Sequence, residues 1–138
     1  MALRRDGASV DDEVWVSGTL GDAAAALSQW QAGGAIDPAL RARLDRPTPR
    51  LALGQALRGI ATSCIDVSDG LLADLGHIAE RSGIDAEVFA AQLPCMPAGV
   101  DAGVARQAQL AGGDDYELIF SAAPEKRPEI AELAARLD

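Results

Sequence analysis

The feature that most constrains this chain is an alternation between two kinds of segment. Short runs of apolar and β-branched residues alternate with longer Ala- and Leu-rich segments that have helical periodicity. Short apolar runs are typical of strands, whereas apolar residues spaced three and four apart indicate helices. Elements that alternate in this way pack as a sheet with helices on its faces. The sequence therefore predicts an α/β or α+β architecture, with a mixed sheet covered by helices.

Four strands and six helices are predicted from this alternation. The predicted strands span residues 13–17, 61–67, 85–90 and 116–121. The predicted helices span residues 23–31, 38–44, 51–57, 71–82, 100–110 and 124–137. Glycine, proline and acidic residues separate them, as is typical of turns and helix ends. A chain of 138 residues with this pattern is expected to form one domain.

Local signals predict how the helices begin and which side chains face inward. Asp22 is the expected N-cap of the first helix, and Asp37 and Pro38 are the expected N-cap and first position of the second. The side chains expected to face inward are Leu27 and Trp30 in the first helix, Leu71, Leu72, Leu75, Ile78 and Ala79 in the fourth, and Ile130, Leu133, Ala134 and Leu137 in the last.

The charge balance excludes several classes of partner. The chain has 12 lysines and arginines against 21 aspartates and glutamates, a formal net charge of −9. Nucleic acids and anionic membrane surfaces need clustered basic residues, so neither is expected as a partner. No apolar run is long enough to span a bilayer, and the first residues lack the apolar centre of a secretory signal. With only two cysteines, Cys64 and Cys95, a disulfide scaffold is excluded and a reducing, cytoplasmic setting is expected.

The first candidate site is the segment DVSDG at residues 66–70. Asp66, Ser68 and Asp69 follow a predicted buried strand and precede a predicted helix, a place where α/β sheets commonly bind ligands. Free N–H groups at the helix N-terminus would suit a phosphate, and Mg²⁺ between the carboxylates would relieve their repulsion of it. The alternative is that Ser68 or Asp69 only caps the helix.

Two glycine-containing segments are weaker candidates. In GGDDYEL at residues 112–118, the glycines would let the backbone approach a ligand and the acids would bind a polar or cationic substrate. An acidic turn before a strand explains the same pattern. GTLGD at residues 18–22 resembles a phosphate loop only loosely, because it lacks the Walker lysine and the three glycines of a dinucleotide fingerprint. A tight turn with an N-cap is the favoured explanation there.

Zinc chemistry is not indicated by the sequence. His77, the only histidine, lies in the amphipathic helix at 71–82 and is assigned a structural role. There is no second histidine, and Cys64 and Cys95 lie far apart in the sequence, so no zinc ligand set is expected. Cys64 lies in an apolar strand and is expected to be unreactive.

Taken together, these motifs resemble the thiamine-monophosphate kinase family. That family belongs to the ATP-dependent superfamily that also contains aminoimidazole ribonucleotide synthetase and selenophosphate synthetase. The matching segments are VWVSGTLGD (14–22), RPTPR (46–50) with ALG (52–54), IDVSDGL (65–71) with DLGHI (74–78), and GGDDYEL (112–118). Each is weak alone, but four in this order are specific, and RPTPR and GGDDYEL favour this family over its relatives.

The resemblance implies an activity and a set of site residues. The activity would be phosphoryl transfer from ATP to thiamine monophosphate, with Mg²⁺, giving thiamine diphosphate. The matching positions are Asp66 and Asp69 for the metal, Ser68 and Arg5 for the nucleotide, and Asp114 for the thiamine substrate. Arg4 competes with Arg5 for the same match. A phosphate oxygen of thiamine monophosphate would attack without a base, so no general base is assigned.

The resemblance also implies that the chain is a partial enzyme. Residues 1–138 would form a single substrate- and metal-binding domain that resembles the C-terminal domain of aminoimidazole ribonucleotide synthetase-like proteins. The family's N-terminal ATP-binding domain, which makes the homodimer, has no counterpart here, and neither has its closing C-terminal strand. The chain is therefore expected to be inactive alone. A related synthetase and a non-catalytic ligand-binding module are the alternatives.

Overall fold

The sheet consists of three short strands. The computed structural model describes residues 2–94 and 100–137. In chain order the strands are β1 (Glu13–Val16), β2 (Ser63–Asp66) and β3 (Leu118–Ala122). β3 is central, and β1 and β2 both pair with it antiparallel, so that Trp15 and Cys64 each lie opposite Phe120. The α+β class is confirmed, but the sheet in the described residues is antiparallel throughout and not mixed.

Six α-helices accompany this sheet in the described part of the chain. They are α1 (Asp22–Gln31), α2 (Pro38–Asp45), α3 (Leu51–Ala56), α4 (Leu71–Ser82), α5 (Ala102–Ala111) and α6 (Arg127–Leu137). Short 3₁₀ turns occur at Ala90–Gln92 and Pro124–Lys126. Each predicted helix is present, although the last begins as a 3₁₀ turn. Among the described residues, no helix combines the length and the apolar character needed to cross a membrane.

The predicted strand at residues 85–90 is wrong. These residues have no regular structure until the 3₁₀ turn begins at Ala90. The outer edge of β2 is next to the N-terminal segment instead, because the Cys64 N–H donates to the Arg4 carbonyl oxygen at 2.8 Å. Val88 packs against the core, but Phe89 is 56% exposed. Packing of Val88 against the core thus holds this segment in position, without strand pairing.

The core lies on both faces of the sheet. One cluster joins α4 to the sheet through Leu71, Leu75, Ile78, Leu20, Ile65, Val67 and Ile119. A second joins α3 and α6 to the sheet through Leu57, Phe120, Ala122, Ile130 and Leu133. A third, small cluster of Ala25, Ala26 and Leu40 joins α1 to α2. Ile119 and Phe120 are neighbours in β3 and point to opposite faces, so this strand links the first two clusters. Fully burying a side chain such as Ile119 contributes about 1.5–3 kcal/mol to folding.

Four side chains expected to face inward are exposed. Trp30 is 63% exposed, Leu72 50% and Leu137 37%, and Ala134 is exposed as well. Leu72 follows Leu71 directly, and successive helix residues point about 100° apart, so only one of the two reaches the core. Trp30, Ala134 and Leu137 lie in the last turns of α1 and α6, beyond the buried residues of each helix.

Candidate functional site

Two loops form the centre of the candidate site: residues 67–70 before α4, and residues 112–117 before β3. The Asp114 N–H donates to the Ser68 carbonyl oxygen at 3.0 Å, and the Tyr116 N–H donates to the Val67 carbonyl oxygen at 2.9 Å. A Cβ atom on Gly113 would lie 2.4 Å from the Ser68 carbonyl oxygen, so this approach requires glycine there. The two acidic candidate segments of the sequence therefore form one site.

Three exposed carboxylates lie around Tyr116 in this site. The Tyr116 hydroxyl donates to Asp114 Oδ1 at 3.3 Å. The negative charge of Asp114 is the largest cause that raises the pKa of Tyr116, followed by this hydrogen bond, and the charges of Asp66 and Asp69 add to it. Asp66, Asp69 and Asp114 are all exposed. The structure thus brings these three predicted site residues together, with Ser68 between them in the chain.

The Asp66 and Asp69 carboxylates are suited to a divalent cation. Within residues 2–94 and 100–137, neither carboxylate forms a hydrogen bond or an ion pair. Mg²⁺ binds proteins through one or two carboxylates and keeps its remaining positions for water and phosphate oxygens. Two exposed, uncompensated carboxylates beside one loop therefore fit the Mg²⁺ that the resemblance implies.

The loop amides before α4 are already occupied, which corrects the expectation of free N–H groups for a phosphate. Asp74 Oδ2 accepts hydrogen bonds from the N–H groups of Ser68 and Asp69 at 3.0 Å each and from that of Gly70 at 3.1 Å. The Asp74 side chain lies in the first turn of α4 and is 2% exposed. The Asp74 carboxylate thus occupies the three amides that were expected to bind a phosphate.

His77 lies beside the same loop. One ligand atom each of Asp69, Asp74 and His77 lies within 4.8 Å of the other two. The His77 side chain is exposed. The sequence predicts no zinc ligand set, because it does not show that His77, almost two turns into α4, lies near Asp69. Asp74, however, already uses Oδ2 for three amides, which leaves Asp69 and His77 as the accessible members.

The GTLGD segment leads into α1 and is tied to the second loop. Asp115 is 1% exposed, and its carboxylate accepts from the Gly21 N–H at 2.6 Å and from the Ala23 N–H at 3.3 Å. Burial raises the pKa of Asp115, and these two hydrogen bonds oppose that effect. Asp22 is not the N-cap as predicted: Gly21 holds that position at φ 85°, and Asp22 lies in the first turn, where it accepts from the Thr19 hydroxyl.

Glu117 is the centre of a buried ion network beneath the second loop. It is fully buried and accepts hydrogen bonds from Arg50 at 2.7 and 2.9 Å, from Arg43 at 2.5 Å and from the Ser17 hydroxyl. Burial alone would raise the pKa of Glu117, but the hydrogen bonds from Arg50 and Ser17 and the arginine charges outweigh it, so the pKa is lowered. This network joins the RPTPR segment to GGDDYEL.

The sequence predicts no role for Asp74 or Glu117 or for the arginine partners of Glu117. It predicts a substrate contact for the acids that follow the glycines of GGDDYEL, but one of these, Asp115, is buried. A signal existed for Asp74, because it lies on the same helical face as Leu71, Leu75 and Ile78, where a charged residue needs a partner. Glu117 gives a similar signal, since it directly precedes the apolar strand β3. Which groups pair with these acids depends on the tertiary fold, so no rule of residue spacing predicts the partners.

Arg5 lies away from the acidic cluster. The Ser82 hydroxyl donates to the Arg5 carbonyl oxygen at 3.4 Å, so Arg5 lies near the C-terminal end of α4. A helix of 12 residues is about 18 Å long, and Asp69 precedes its other end. Arg4, the competing choice, forms an exposed ion pair with Asp6 at 2.5 Å. Both arginines line one surface cavity of about 320 Å³ together with Asp6 and Arg81.

Known proteins similar in sequence to this chain include thiamine-monophosphate kinases. No protein-family model matches the chain. The thiamine-monophosphate kinase of Haemophilus influenzae is 47% identical over 133 residues, which are 91% of this chain and 40% of that protein. The thiamine-monophosphate kinase of Escherichia coli K12 is 44% identical over 128 residues, which are 87% of this chain and 39% of that protein. The chain thus spans about 40% of the length of the curated relatives it matches.

Solved structures that resemble this chain include a thiamine-monophosphate kinase. Thiamine-monophosphate kinase from Stenotrophomonas maltophilia K279a superposes with a TM-score of 0.93 at 51% identity, over 99% of this chain and 47% of that one. A structure described as AaThiL complexed with AMPPCP and TMP superposes with a TM-score of 0.80 at 35% identity, over 90% of this chain and 43% of that one.

Proposed function

We propose, since this chain is homologous to the C-terminal part of thiamine-monophosphate kinases, that it supplies part of a site that phosphorylates thiamine monophosphate. ATP would donate its γ-phosphoryl group and leave as ADP, and the product would be thiamine diphosphate. The observation that carries this proposal is the meeting of Asp66 and Asp69 with Asp114 at two loops joined by backbone hydrogen bonds. The AaThiL complex with AMPPCP and TMP supports the same pair of ligand classes.

Asp66 and Asp69 would hold Mg²⁺. When bound, the ion would neutralise phosphate charge, which is the main requirement of phosphoryl transfer. The two carboxylates are exposed and uncompensated in the described part of the chain. Ser68, which lies between them, would donate its hydroxyl to the nucleotide.

Asp114 would bind the thiamine substrate through its charge. The thiazolium ring is a cation, and Asp114 is an exposed carboxylate whose Oδ1 is fixed by the Tyr116 hydroxyl. Arg5 would contact the nucleotide from the far end of α4. The attacking phosphate oxygen of thiamine monophosphate is already ionised at neutral pH, so this chain needs no general base.

The site would be completed by a second domain. Residues 1–138 would be the C-terminal domain of the enzyme, and an N-terminal domain would supply further metal ligands, the nucleotide cleft and the contacts of a homodimer. The chain spans about 40% of its curated relatives, which supports this division. The chain alone is then expected to have no kinase activity, and its setting would be the cytoplasm.

The test is thiamine diphosphate formation from thiamine monophosphate, ATP and Mg²⁺, measured by mass spectrometry. Two proteins are compared: this chain alone, and a chimera in which it replaces the matching segment of the Stenotrophomonas maltophilia kinase, to which it is 51% identical. We expect product only from the chimera. Product from the chain alone would contradict the divided site, and no product from a folded chimera would contradict the kinase activity and favour a related synthetase or a binding module.

Two variants of the chimera test the metal role. Asp66→Asn is expected to lower the rate at least a hundredfold, because it removes one of two proposed metal ligands. Asp85→Asn is the matched control, because Asp85 is an exposed aspartate outside both loops. Equal rates for the two variants would contradict the role of Asp66.

A further inference from the structure

The first turn of α4 contains a carboxylate that no proposed ligand contact uses. Asp74 is 2% exposed and lies on the inward face of the helix, between Leu71 and Leu75. Its Oδ2 atom accepts hydrogen bonds from three consecutive N–H groups, those of Ser68, Asp69 and Gly70, at 3.0 to 3.1 Å. A buried carboxylate needs such partners, and three amide dipoles that converge on one oxygen stabilise its charge.

The same hydrogen bonds fix the backbone of the loop. Ser68 and Asp69 carry the side chains proposed for the nucleotide and the metal, and both have their own N–H group held by Asp74. The Gly70 backbone, at φ 109°, lies so close to α5 that a Cβ atom would be 2.9 Å from the Ala111 carbonyl carbon. The loop is thus held by Asp74 on one side and by α5 on the other.

We infer that Asp74 is a positioning residue that orders the 68–70 loop and thereby aims the Asp69 carboxylate at the cation. The inference rests on the proposed function for the identity of that cation, and on the hydrogen bonds alone for the ordering of the loop. Partners of metal-ligating groups commonly affect metal affinity 10- to 100-fold when they are removed.

A direct metal contact by Asp74 is the competing explanation. Its carboxylate lies within 4.8 Å of ligand atoms of Asp69 and His77. Two observations favour positioning: the side chain is 2% exposed, and Oδ2 already accepts three hydrogen bonds. The two explanations differ in what Asp74→Asn should do, because asparagine keeps a carbonyl acceptor for the amides but loses the charge that a ligand supplies.

The first experiment measures amide hydrogen exchange by NMR in this 138-residue chain without metal or substrate. In Asp74→Leu, which keeps the branched shape of the side chain but has no acceptor, the amides of residues 68–70 are expected to exchange at least tenfold faster. Asp74→Asn should give intermediate rates. Asp37→Ala is the matched control, because Asp37 also accepts from two helix amides but lies at α2. Unchanged exchange at residues 68–70 in a folded Asp74→Leu or Asp74→Asn protein would overturn the inference.

The second experiment measures Mn²⁺ affinity from paramagnetic broadening of the Asp69 amide signal, and the Mg²⁺ activation constant of the kinase chimera. For Asp74→Asn we expect an affinity reduced up to tenfold, and a higher activation constant at a nearly unchanged maximal rate. Loss of cation binding with fully retained amide protection would instead identify Asp74 as a ligand and overturn the positioning role. A chimera that makes no thiamine diphosphate would overturn the proposed function, while the exchange result would still decide the ordering of the loop.

Discussion

The N–H group of Asp114 donates a hydrogen bond to the carbonyl oxygen of Ser68 at 3.0 Å. This bond joins the loop before α4 to the loop before β3, two segments that are far apart in the sequence. Because the contact is between backbone atoms, the side chains of both loops are free to point outward together. The acidic cluster therefore depends on how closely the two backbones approach.

Gly113→Ala is expected to separate the two loops. The new Cβ atom would lie 2.4 Å from the Ser68 carbonyl oxygen, which is backbone and cannot rotate away. Forcing extra volume into a packed contact typically costs about 1–3 kcal/mol of unfolding free energy. Urea denaturation of the chain measures this loss.

Gly34→Ala is the control for this substitution. A Cβ atom there would have its nearest neighbour, the Gln29 carbonyl oxygen, at 3.8 Å. Its unfolding free energy is expected to stay within about 0.5 kcal/mol of the parent chain, as for most surface changes. Equal losses for the two variants would show that the close approach at Gly113 does not matter.

Glu117→Gln is expected to destabilise the chain by roughly 3 kcal/mol, the lower end of the range for breaking a buried ion pair. The lower end applies because Arg43 and Arg50 are still 21% and 27% exposed and keep some water. Their charges would then face a neutral amide in place of a carboxylate. Chemical denaturation at neutral pH measures the loss.

The matched control for Glu117→Gln is Asp45→Asn. Asp45 and Arg41 form an ion pair at 2.5 Å between half-exposed side chains of α2. Such pairs contribute about 0.3–0.5 kcal/mol, and salt screens them. A loss at Glu117 as small as the loss at Asp45 would contradict the structural importance of the buried network.

The difference in stability between the parent chain and Glu117→Gln should depend on pH. Burial raises the pKa of Glu117, but the hydrogen bonds from Arg50 and Ser17 and the charges of Arg43 and Arg50 outweigh it, so the pKa is lowered from its usual 4.5. A lowered folded-state pKa contributes stability above the unfolded-state value, and this is lost as the pH falls through the folded-state value. The difference should therefore be constant near pH 7 and shrink as the pH falls below about 4.5.

Asp115 acts in the opposite direction but does not disturb this comparison. Its raised pKa favours the protonated form in the folded chain, so its contribution to stability is greatest at low pH and falls as the pH rises. It is present in both proteins, and its effect largely cancels in the difference. A difference that grows as the pH falls would contradict the lowered pKa of Glu117.

The sequence predicted the helices well and the sheet less well. Asp37 and Pro38 begin α2 as expected, because an N-cap is a local interaction between neighbours: Asp37 Oδ1 accepts from the N–H groups of Ala39 and Leu40. Strand pairing is not local. The segment at 85–90 has strand-like residues, yet the edge of β2 is next to the N-terminal segment.

The candidate site shows the same difference between local features, which the sequence predicts, and non-local contacts, which it does not. Short, contiguous motifs predict Asp66, Ser68, Asp69 and Asp114. The structure places the last three in the two joined loops and Asp66 at the end of β2, directly before the first loop. Arg5, predicted with them, lies near the other end of α4. Of the buried acids at these loops, Asp74 and Glu117 are not predicted as site residues, and Asp115 is predicted to bind a substrate but is buried. Asp74 looks like an ordinary polar residue of a helix, and only the fold shows that three amides of the preceding loop point at it.

Tyr116 should report on the acidic cluster directly, because it is the only tyrosine in the chain. Its pKa is raised above the usual value of about 10, chiefly by the charge of Asp114 and the hydrogen bond to it, with smaller effects of Asp66 and Asp69. In a spectroscopic titration of the phenol, Asp114→Asn should therefore lower the pKa, and Asp37→Asn, at the N-cap of α2, should leave it unchanged. Ca²⁺, used in place of Mg²⁺ because it stays soluble at the pH of a phenol titration, should also lower it in the parent chain, since a cation at Asp66 and Asp69 would offset their charge. A pKa that does not respond to Asp114→Asn would contradict the arrangement of this cluster, and one that responds to the variant but not to Ca²⁺ would contradict the cation site in the isolated chain.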